Sequence, residues 1–198
     1  MAVREMSAEE LLGGKALIGV PVRAMVKGLK LRKARDFAIE AHGDQPYGDK
    51  PYVEHLSAVV RTLEDFDAGV SCLVAAWLHD VVEDTAVTIE QVRSEFGEEV
   101  ANLVWAVTGE GNGDRSAHAA SICKKVAALP DAAVVKLADR IANIEACEPG
   151  DKHFLRYSRE HAEFEKAIKP HVSQPMWQRY LNGLEAKAEL ANGHGNAD

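Results

Sequence analysis

The stretch Cys72-Leu-Val-Ala-Ala-Trp-Leu-His79-Asp80-Val-Val-Glu83-Asp84-Thr85 decides the fold. Up to His79 it is apolar nearly all round, which is the pattern of a helix buried at the centre of a fold. Its end carries one histidine and three carboxylates, and a buried carboxylate demands a cation or several hydrogen-bond donors. The segment from Cys72 to Val82 therefore predicts a central helix that ends in a polar cluster.

The spacing within this cluster places its side chains together. His79 and Glu83 are four residues apart, as are Asp80 and Asp84, so each pair shares one face of a helix and the two faces are adjacent. Three carboxylates this close repel one another unless a metal ion or a bound proton offsets their charge. The alternative is a polar helix end in which His79 bonds a backbone carbonyl, and for an isolated His-Asp dipeptide that alternative is the commoner one.

Two further residues strengthen the metal interpretation. The apolar helix predicted around 134–144 is interrupted by Asp139, whose alternative role is a surface pair with Arg140. Neighbours in sequence point about 100° apart on a helix, however, so they pair poorly with each other. His55 opens a helix just after a Pro-Tyr turn, and its alternative role is a solvent-facing histidine.

The four residues offer a mixed set of nitrogen and oxygen ligands. Two imidazoles and two carboxylates suit Mn²⁺, Fe²⁺ or Zn²⁺, with positions left for water. The set contains no thiolate, which argues against a closed structural zinc site. The candidate ligands are His55, His79, Asp80 and Asp139.

Apolar spacings of three and four recur along almost the whole chain and predict an all-α fold with one domain, a helical bundle. Thr88-Ile-Glu-Gln91 has the pattern of a capping box, and its helix is expected to end at Gly97. Gly and Pro residues between His42 and Pro51 interrupt the helical pattern. We divide the 198 residues into an N-terminal extension (1–25), the domain (26–170), a C-terminal amphipathic helix (171–191) and a disordered tail (192–198).

Composition limits the partners of the protein. The formal net charge of -8 argues against a nucleic-acid-binding protein, which normally carries the opposite sign. No apolar run near the start is long enough for a signal or a membrane span. Three scattered cysteines fit a reducing compartment, so we expect a cytoplasmic protein. The C-terminal helix is expected either to fold back on the domain or to form a homodimer contact.

Several motifs together resemble the HD-domain metal-dependent phosphohydrolases, and resemble still more closely the hydrolase domain of the RelA/SpoT enzymes and the stand-alone small alarmone hydrolases. The resemblance covers about residues 30–168. The residues that carry it are Ala41-His42, Pro51-Tyr52-Val53-Glu54-His55, Ala75 to Thr85, Phe96-Gly97 and Lys136-Leu137-Ala138-Asp139-Arg140.

The resemblance implies a helical fold with one divalent metal ion, Mn²⁺ first, with Fe²⁺ or Zn²⁺ as alternatives. It implies hydrolysis of the 3′-pyrophosphate of guanosine tetra- or pentaphosphate, giving GDP or GTP and pyrophosphate. His55, His79, Asp80 and Asp139 would be the metal ligands, and Glu83 and Asp84 the catalytic acidic pair. The candidate substrate-binding residues are Tyr47, Lys50, Lys136, Arg140 and Asn143.

Two departures from the family pattern leave alternatives open. No Arg lies between His42 and Tyr52, where the family commonly has one, and Ala142 stands where an aromatic or His is usual. Both changes concern base recognition, for which Tyr47 could stack on a purine instead. The alternatives are an HD phosphohydrolase acting on an adenosine alarmone, NADPH or a nucleoside monophosphate, and a non-catalytic nucleotide-binding HD module that regulates a partner.

Overall fold

A computed structural model of the chain describes residues 21–110, 114–148 and 150–193. The regular secondary structure of the described residues is helical apart from one short hairpin, which confirms the all-α prediction. The helices are α1 (Val22–His42), α2 (Val53–Asp65), α3 (Val70–Leu78), α4 (Val81–Asp84), α5 (Ile89–Phe96), α6 (Glu98–Val107), α7 (Arg115–Ala128), α8 (Pro130–Ala146), α9 (Lys152–Ile168) and α10 (Gln174–Gly193), with a 3₁₀ turn at Lys169–His171.

The hairpin lies between α1 and α2, in the stretch where glycine and proline interrupt the helical pattern. Its two antiparallel strands, β1 (Pro46–Tyr47) and β2 (Lys50–Pro51), pair Pro46 with Pro51 and Tyr47 with Lys50. Gly48 in the connection has φ +62°, a backbone conformation that glycine adopts without strain. The hairpin lies directly before the helix that carries His55.

Helices α3 and α8 form the centre of the bundle. Helix α8 packs against α2, α3, α6, α7, α9 and α10, while α3 also packs against α1, α2 and α6. Leu73 and Leu78 of α3 and Leu137 and Ala138 of α8 are fully buried. Burial of this apolar surface is the main source of stability and fixes the two helices that carry most of the polar cluster.

The predicted helix from Cys72 to Val82 is wrong in one respect, because it breaks in the middle of the motif. Helix α3 ends at Leu78, Asp80 has φ -102° and ψ -6°, and α4 begins at Val81. Side chains adjacent in sequence diverge by about 100° on a regular helix, yet His79 Nε2 and Asp80 Oδ2 lie 3.0 Å apart. The break lets both side chains point to one centre.

The capping box predicted at Thr88 is confirmed. Thr88 Oγ1 accepts a hydrogen bond from the Gln91 backbone N–H (3.2 Å), and Gln91 Oε1 accepts one from the Thr88 backbone N–H (2.8 Å). Gly97 follows the helix with φ +88°. A local sequence pattern therefore fixes both ends of α5.

The two ends of the chain are described only in part. Of the expected extension, residues 1–20 lie outside the described residues, and α1 begins at Val22. Residues 194–198 of the expected tail also lie outside them. Helix α10 packs on α8, with Trp177 and Tyr180 each 1% exposed. None of the described helices is long and apolar enough to cross a membrane. A cytoplasmic location and a homodimer stay predictions.

Candidate metal centre and adjoining cavity

Four side chains from three helices converge at the centre of the bundle. His55 lies in the first turn of α2, His79 and Asp80 follow α3, and Asp139 lies in the middle of α8. Nε2 of His55 is 3.3 Å from Nε2 of His79, 3.6 Å from Asp80 Oδ2 and 3.4 Å from Asp139 Oδ1. Nε2 of His79 is 3.0 Å from Asp80 Oδ2 and 3.7 Å from Asp139 Oδ1.

These distances fit ligands of one divalent ion. Two donors bound at about 2.1 Å lie about 3.0 Å apart at a right angle and about 3.4 Å apart at a tetrahedral angle. The ligand atoms of His55, His79 and Asp80 all lie within 4.8 Å of one another. Nδ1 of His79 contacts the Ala76 carbonyl oxygen at 2.8 Å. Because Nδ1 must donate there, Nε2 of neutral His79 keeps a lone pair directed at the centre.

The electrostatics of the cluster reflect its buried charges. Burial lowers the pKa of His79, but Asp80 and Asp139 outweigh burial and raise it well above the usual value. Burial likewise lowers the pKa of His55, and the hydrogen bonds to Asp139 and Asp80 raise it above normal. The pKa values of both aspartates lie well below normal despite their burial. Protons on the imidazoles therefore compete with a metal ion.

Three of the expected substrate-binding residues contact the cluster itself. Lys136 Nζ lies 2.8 Å from Asp139 Oδ2, and Asn143 Nδ2 donates to Asp139 Oδ1 at 2.5 Å. The Tyr47 hydroxyl donates to Asn143 Oδ1 at 3.0 Å, and the Tyr47 ring stacks on His55 with centroids 4.7 Å apart. Burial lowers the pKa of Lys136, but Asp139 raises it above normal, so the ammonium stays charged.

Tyr52 is a site residue that the sequence reasoning missed. Its hydroxyl lies 2.5 Å from Asp80 Oδ2 and 2.9 Å from Asp84 Oδ2, and its ring stacks on His42 at 4.3 Å. Burial, followed by the charge of Asp80, raises the pKa of Tyr52, so the hydroxyl keeps its proton. Gln45 Nε2 also donates to Asp84 Oδ2 at 3.3 Å. The Pro-Tyr pair before His55 was the available signal.

Glu83, the other member of the acidic pair, has different neighbours from Asp84. Glu83 Oε1 accepts a hydrogen bond from the Gly109 backbone N–H at 2.5 Å, and Glu83 Oε2 lies 3.6 Å from His118 Nε2. Neither Gly109 nor His118 was singled out by the sequence. The two carboxylates after the His-Asp pair are therefore held by separate parts of the chain.

A cavity of about 840 Å³ opens beside the cluster and has the size of a small-molecule pocket. The acidic pair and most of the candidate ligands line one part of it. It also has cationic residues that the sequence reasoning missed, because their helical spacing looks like an ordinary solvated face. The missed cations are Arg115, Arg156 and Arg159.

The two remaining expected cations are placed differently. Arg140 lines the cavity, but its Nη2 lies 3.0 Å from Glu160 Oε2 and its guanidinium lies over the rings of Tyr157 (4.3 Å) and Phe164 (4.4 Å). Lys50 is exposed at the start of β2 and does not line the cavity. The structure thus brings Arg140 to the cavity and leaves Lys50 outside it.

Comparison with known proteins gives consistent matches. A family model described as HD domain matches residues 34–163. A guanosine-3′,5′-bis(diphosphate) 3′-pyrophosphohydrolase of Mus musculus is 35% identical over 122 residues, which cover 58% of this chain and 68% of that protein. One of Aquifex aeolicus is 34% identical over 121 residues, 59% of this chain. The match spans only 17% of the Aquifex protein's length.

One solved structure gives a close match in fold. It is described as a metazoan ortholog of SpoT that hydrolyzes ppGpp, and it superposes with a TM-score of 0.70 at 23% identity. The match covers 80% of this chain and 96% of that one. The helical arrangement that positions the cluster is therefore shared with that structure.

Proposed function

The chain belongs to the HD domain family, and from that premise we propose that it is a metal-dependent hydrolase of guanosine tetra- and pentaphosphate. The reaction removes the 3′-pyrophosphate and leaves GDP or GTP. One observation carries the proposal: the ligand atoms of His55, His79 and Asp80 lie within 4.8 Å of one another, and Oδ1 of Asp139 lies 3.4 and 3.7 Å from the two imidazoles. The acidic pair Glu83 and Asp84 lines the cavity beside them. The names of the relatives from Mus musculus and Aquifex aeolicus support the substrate class.

His55, His79, Asp80 and Asp139 would hold the ion, and their donor types favour Mn²⁺ with Fe²⁺ or Zn²⁺ as alternatives. When bound, a divalent ion lowers the pKa of a water molecule and offsets negative charge on phosphoryl oxygens. The hydroxyl of Tyr52 and the amide of Asn143 fix the orientation of Asp80 and Asp139. Such outer contacts commonly determine how well ligands hold their geometry.

The acidic pair performs the proton transfers. Glu83 and Asp84 both line the cavity, where a water molecule and the substrate phosphate would meet. One carboxylate orients the attacking water and accepts its proton, and the other delivers a proton to the departing 3′-oxygen of the ribose. A bond forms between phosphorus and the water oxygen as the bond to the ribose oxygen breaks. Tyr52 and Gln45 hold Asp84, while Gly109 and His118 contact Glu83.

The charge of the cavity matters for binding a nucleotide. A polyanionic nucleotide must approach a protein of formal net charge -8, so the local potential has to be positive where the phosphates lie. Five cationic side chains line the cavity beside six carboxylates, so the local charge becomes positive only when a divalent ion is bound as well. The cations are Lys136, Arg140, Arg115, Arg156 and Arg159. Guanidinium groups suit phosphate because they bind it in a bidentate fashion.

A second substrate class is favoured by one observation at the base-recognition residues. The Tyr47 hydroxyl and both ends of the Asn143 amide are already bonded within the protein, and one face of the Tyr47 ring is covered by His55. These residues have little hydrogen-bonding capacity left for a particular base. We therefore propose that other nucleotides, such as an adenosine alarmone, NADPH or a nucleoside monophosphate, are competing substrates.

The test is product analysis on a panel of nucleotides and metals. Purified protein with Mn²⁺, Fe²⁺ or Zn²⁺ should release pyrophosphate and GDP from ppGpp in equal amounts, and chelation should stop the reaction. Asp139→Asn is the matched inactive control, because it keeps the size of the side chain and removes one anionic ligand. Release of orthophosphate would instead identify a phosphomonoesterase. Nucleotide binding without turnover would identify a regulatory module.

A further inference from the structure

The carboxylate of Glu83 is contacted on both of its oxygens by residues outside its own helix. Oε1 accepts the backbone N–H of Gly109 at 2.5 Å, just after α6, and Oε2 lies 3.6 Å from His118 Nε2 on α7. At this distance the imidazole lies beside the carboxylate, beyond hydrogen-bond range. The side chains of Glu83 and His118 are 24% and 26% exposed and both line the cavity.

Gly109 has no room for a side chain because of the His118 ring. A Cβ atom on Gly109 would lie 2.1 Å from His118 Cε1, 2.2 Å from Nδ1 and 2.3 Å from Nε2. The backbone at Gly109 does not have the positive φ that would by itself require glycine. A side chain at this position would therefore force the His118 ring to move from where it lies.

We propose that His118 is a positioning residue that holds the Glu83 carboxylate toward the reacting phosphate, and that Gly109 is a glycine so that this imidazole fits. The proposal rests on the proposed function, in which Glu83 is one of the two catalytic carboxylates. With the Gly109 N–H on one oxygen and the His118 imidazole beside the other, Glu83 keeps one orientation and needs no rearrangement when a proton moves. His118 acts through Glu83 and contributes no ligand to the metal centre.

Replacement of His118 tests the proposal through the separation of kcat from KM. His118→Ala should lower kcat for ppGpp by about 10- to 100-fold with KM nearly unchanged, because a catalytic group displaced by about 1 Å can cost about 100-fold in rate. His118→Gln keeps an N–H donor at a similar reach and should restore most of kcat. Arg115→Ala, one turn earlier on the same cavity wall, is the control and should raise KM instead.

A double-mutant cycle tests the role of Gly109. Gly109→Ala should lower kcat about as much as His118→Ala, because the new methyl group displaces the imidazole. In the His118→Ala background the same methyl group meets no ring, so the double variant should be no slower than His118→Ala alone. Losses that multiply instead would show that the two residues act independently and would overturn the proposal.

The remaining outcomes separate this inference from the proposed function. A wild-type protein that hydrolyses ppGpp, with a His118→Ala variant of equal kcat, would overturn the inference alone. A wild-type protein without any hydrolysis would refute the proposed function. In that case NMR of the full chain loaded with diamagnetic Zn²⁺ tests whether His118 contacts Glu83. Glu83→Gln should shift the imidazole resonances of His118, and unshifted resonances would overturn the inference as well.

Discussion

Tyr52 and Asp84 are joined by a hydrogen bond of 2.9 Å from the tyrosine hydroxyl to Oδ2 of the carboxylate. The same hydroxyl lies 2.5 Å from Oδ2 of Asp80. One phenol group therefore links a candidate metal ligand to a candidate catalytic carboxylate. Because only one proton is present on the hydroxyl, its position couples the charge of the two aspartates.

Tyr52→Phe should weaken both functions of this link. We expect the affinity for Mn²⁺ to fall about tenfold, the lower end of the range for removal of a group that orients a metal ligand. We expect kcat for ppGpp to fall as well, since Asp84 loses a donor. Calorimetry with Mn²⁺ and steady-state kinetics measure the two effects.

The control for Tyr52→Phe is Tyr180→Phe. Tyr180 is also buried and its hydroxyl lies 2.9 Å from Nδ1 of His161, but it belongs to the C-terminal helix. Its loss should leave metal affinity and kcat unchanged. Equal metal affinity in wild type and Tyr52→Phe would contradict the role given to Tyr52.

Much of this architecture could be predicted from local sequence signals. The capping box at Thr88 is a local pattern, so it formed as expected. The candidate ligands were predictable because a charge inside an apolar helix requires a partner, and Asp139 and His79 each interrupt such a helix. His55 was the weakest of the four candidates, because a histidine near a helix start is unremarkable, and the family resemblance strengthened it.

Other features depend on contacts between distant parts of the chain. The helix break at Asp80 follows from two neighbouring side chains meeting at one centre, which helical periodicity does not encode. The approach of His118 to Gly109 depends on how α7 packs beside the end of α6. Tyr52 lies 28 residues before Asp80 in sequence, and only the packing of α2 beside α3 brings its hydroxyl there.

Glu83→Gln should separate catalysis from metal binding. The amide can neither accept a proton from water nor donate one, so we expect kcat to fall by at least about 100-fold. Metal content should remain that of the wild type, because Glu83 contacts Gly109 and His118 and none of the four candidate ligands. Metal analysis of the purified variant and pyrophosphate release measure the two properties.

Asp139→Asn provides the opposite case. This substitution should lower the metal content itself, and activity should fall with it. A Glu83→Gln protein that has lost its metal would contradict the assignment of Glu83 to proton transfer.

Thr88→Ala should lower stability and leave the site intact. The substitution removes the Oγ1 that accepts the Gln91 backbone N–H, and loss of such a cap costs about 1 kcal/mol of unfolding free energy. Urea unfolding of the metal-free protein measures the change. Thr88 does not line the cavity, so kcat and KM should match the wild type. A large drop in kcat would contradict this separation of α5 from the site.

The affinity for Mn²⁺ should rise with pH across the neutral range. Burial lowers the pKa values of His55 and His79, but Asp80 and Asp139 outweigh it and raise both above the usual value of about 6.5. Protons therefore compete with the ion at neutral pH as well as in acid. The aspartates, whose pKa values are lowered, are already ionised there and add no further dependence.

Calorimetry in buffers of different ionisation enthalpy tests this expectation, because metal binding to protonated imidazoles releases protons. At about pH 7 we expect metal binding to release protons from the imidazoles. This release should fall toward zero as the pH passes the raised pKa values of His55 and His79. The dissociation constant should decrease over the same range and then level off. Binding without proton release at about pH 6.5 would mean that the imidazoles are already neutral and that the carboxylates do not hold protons on them.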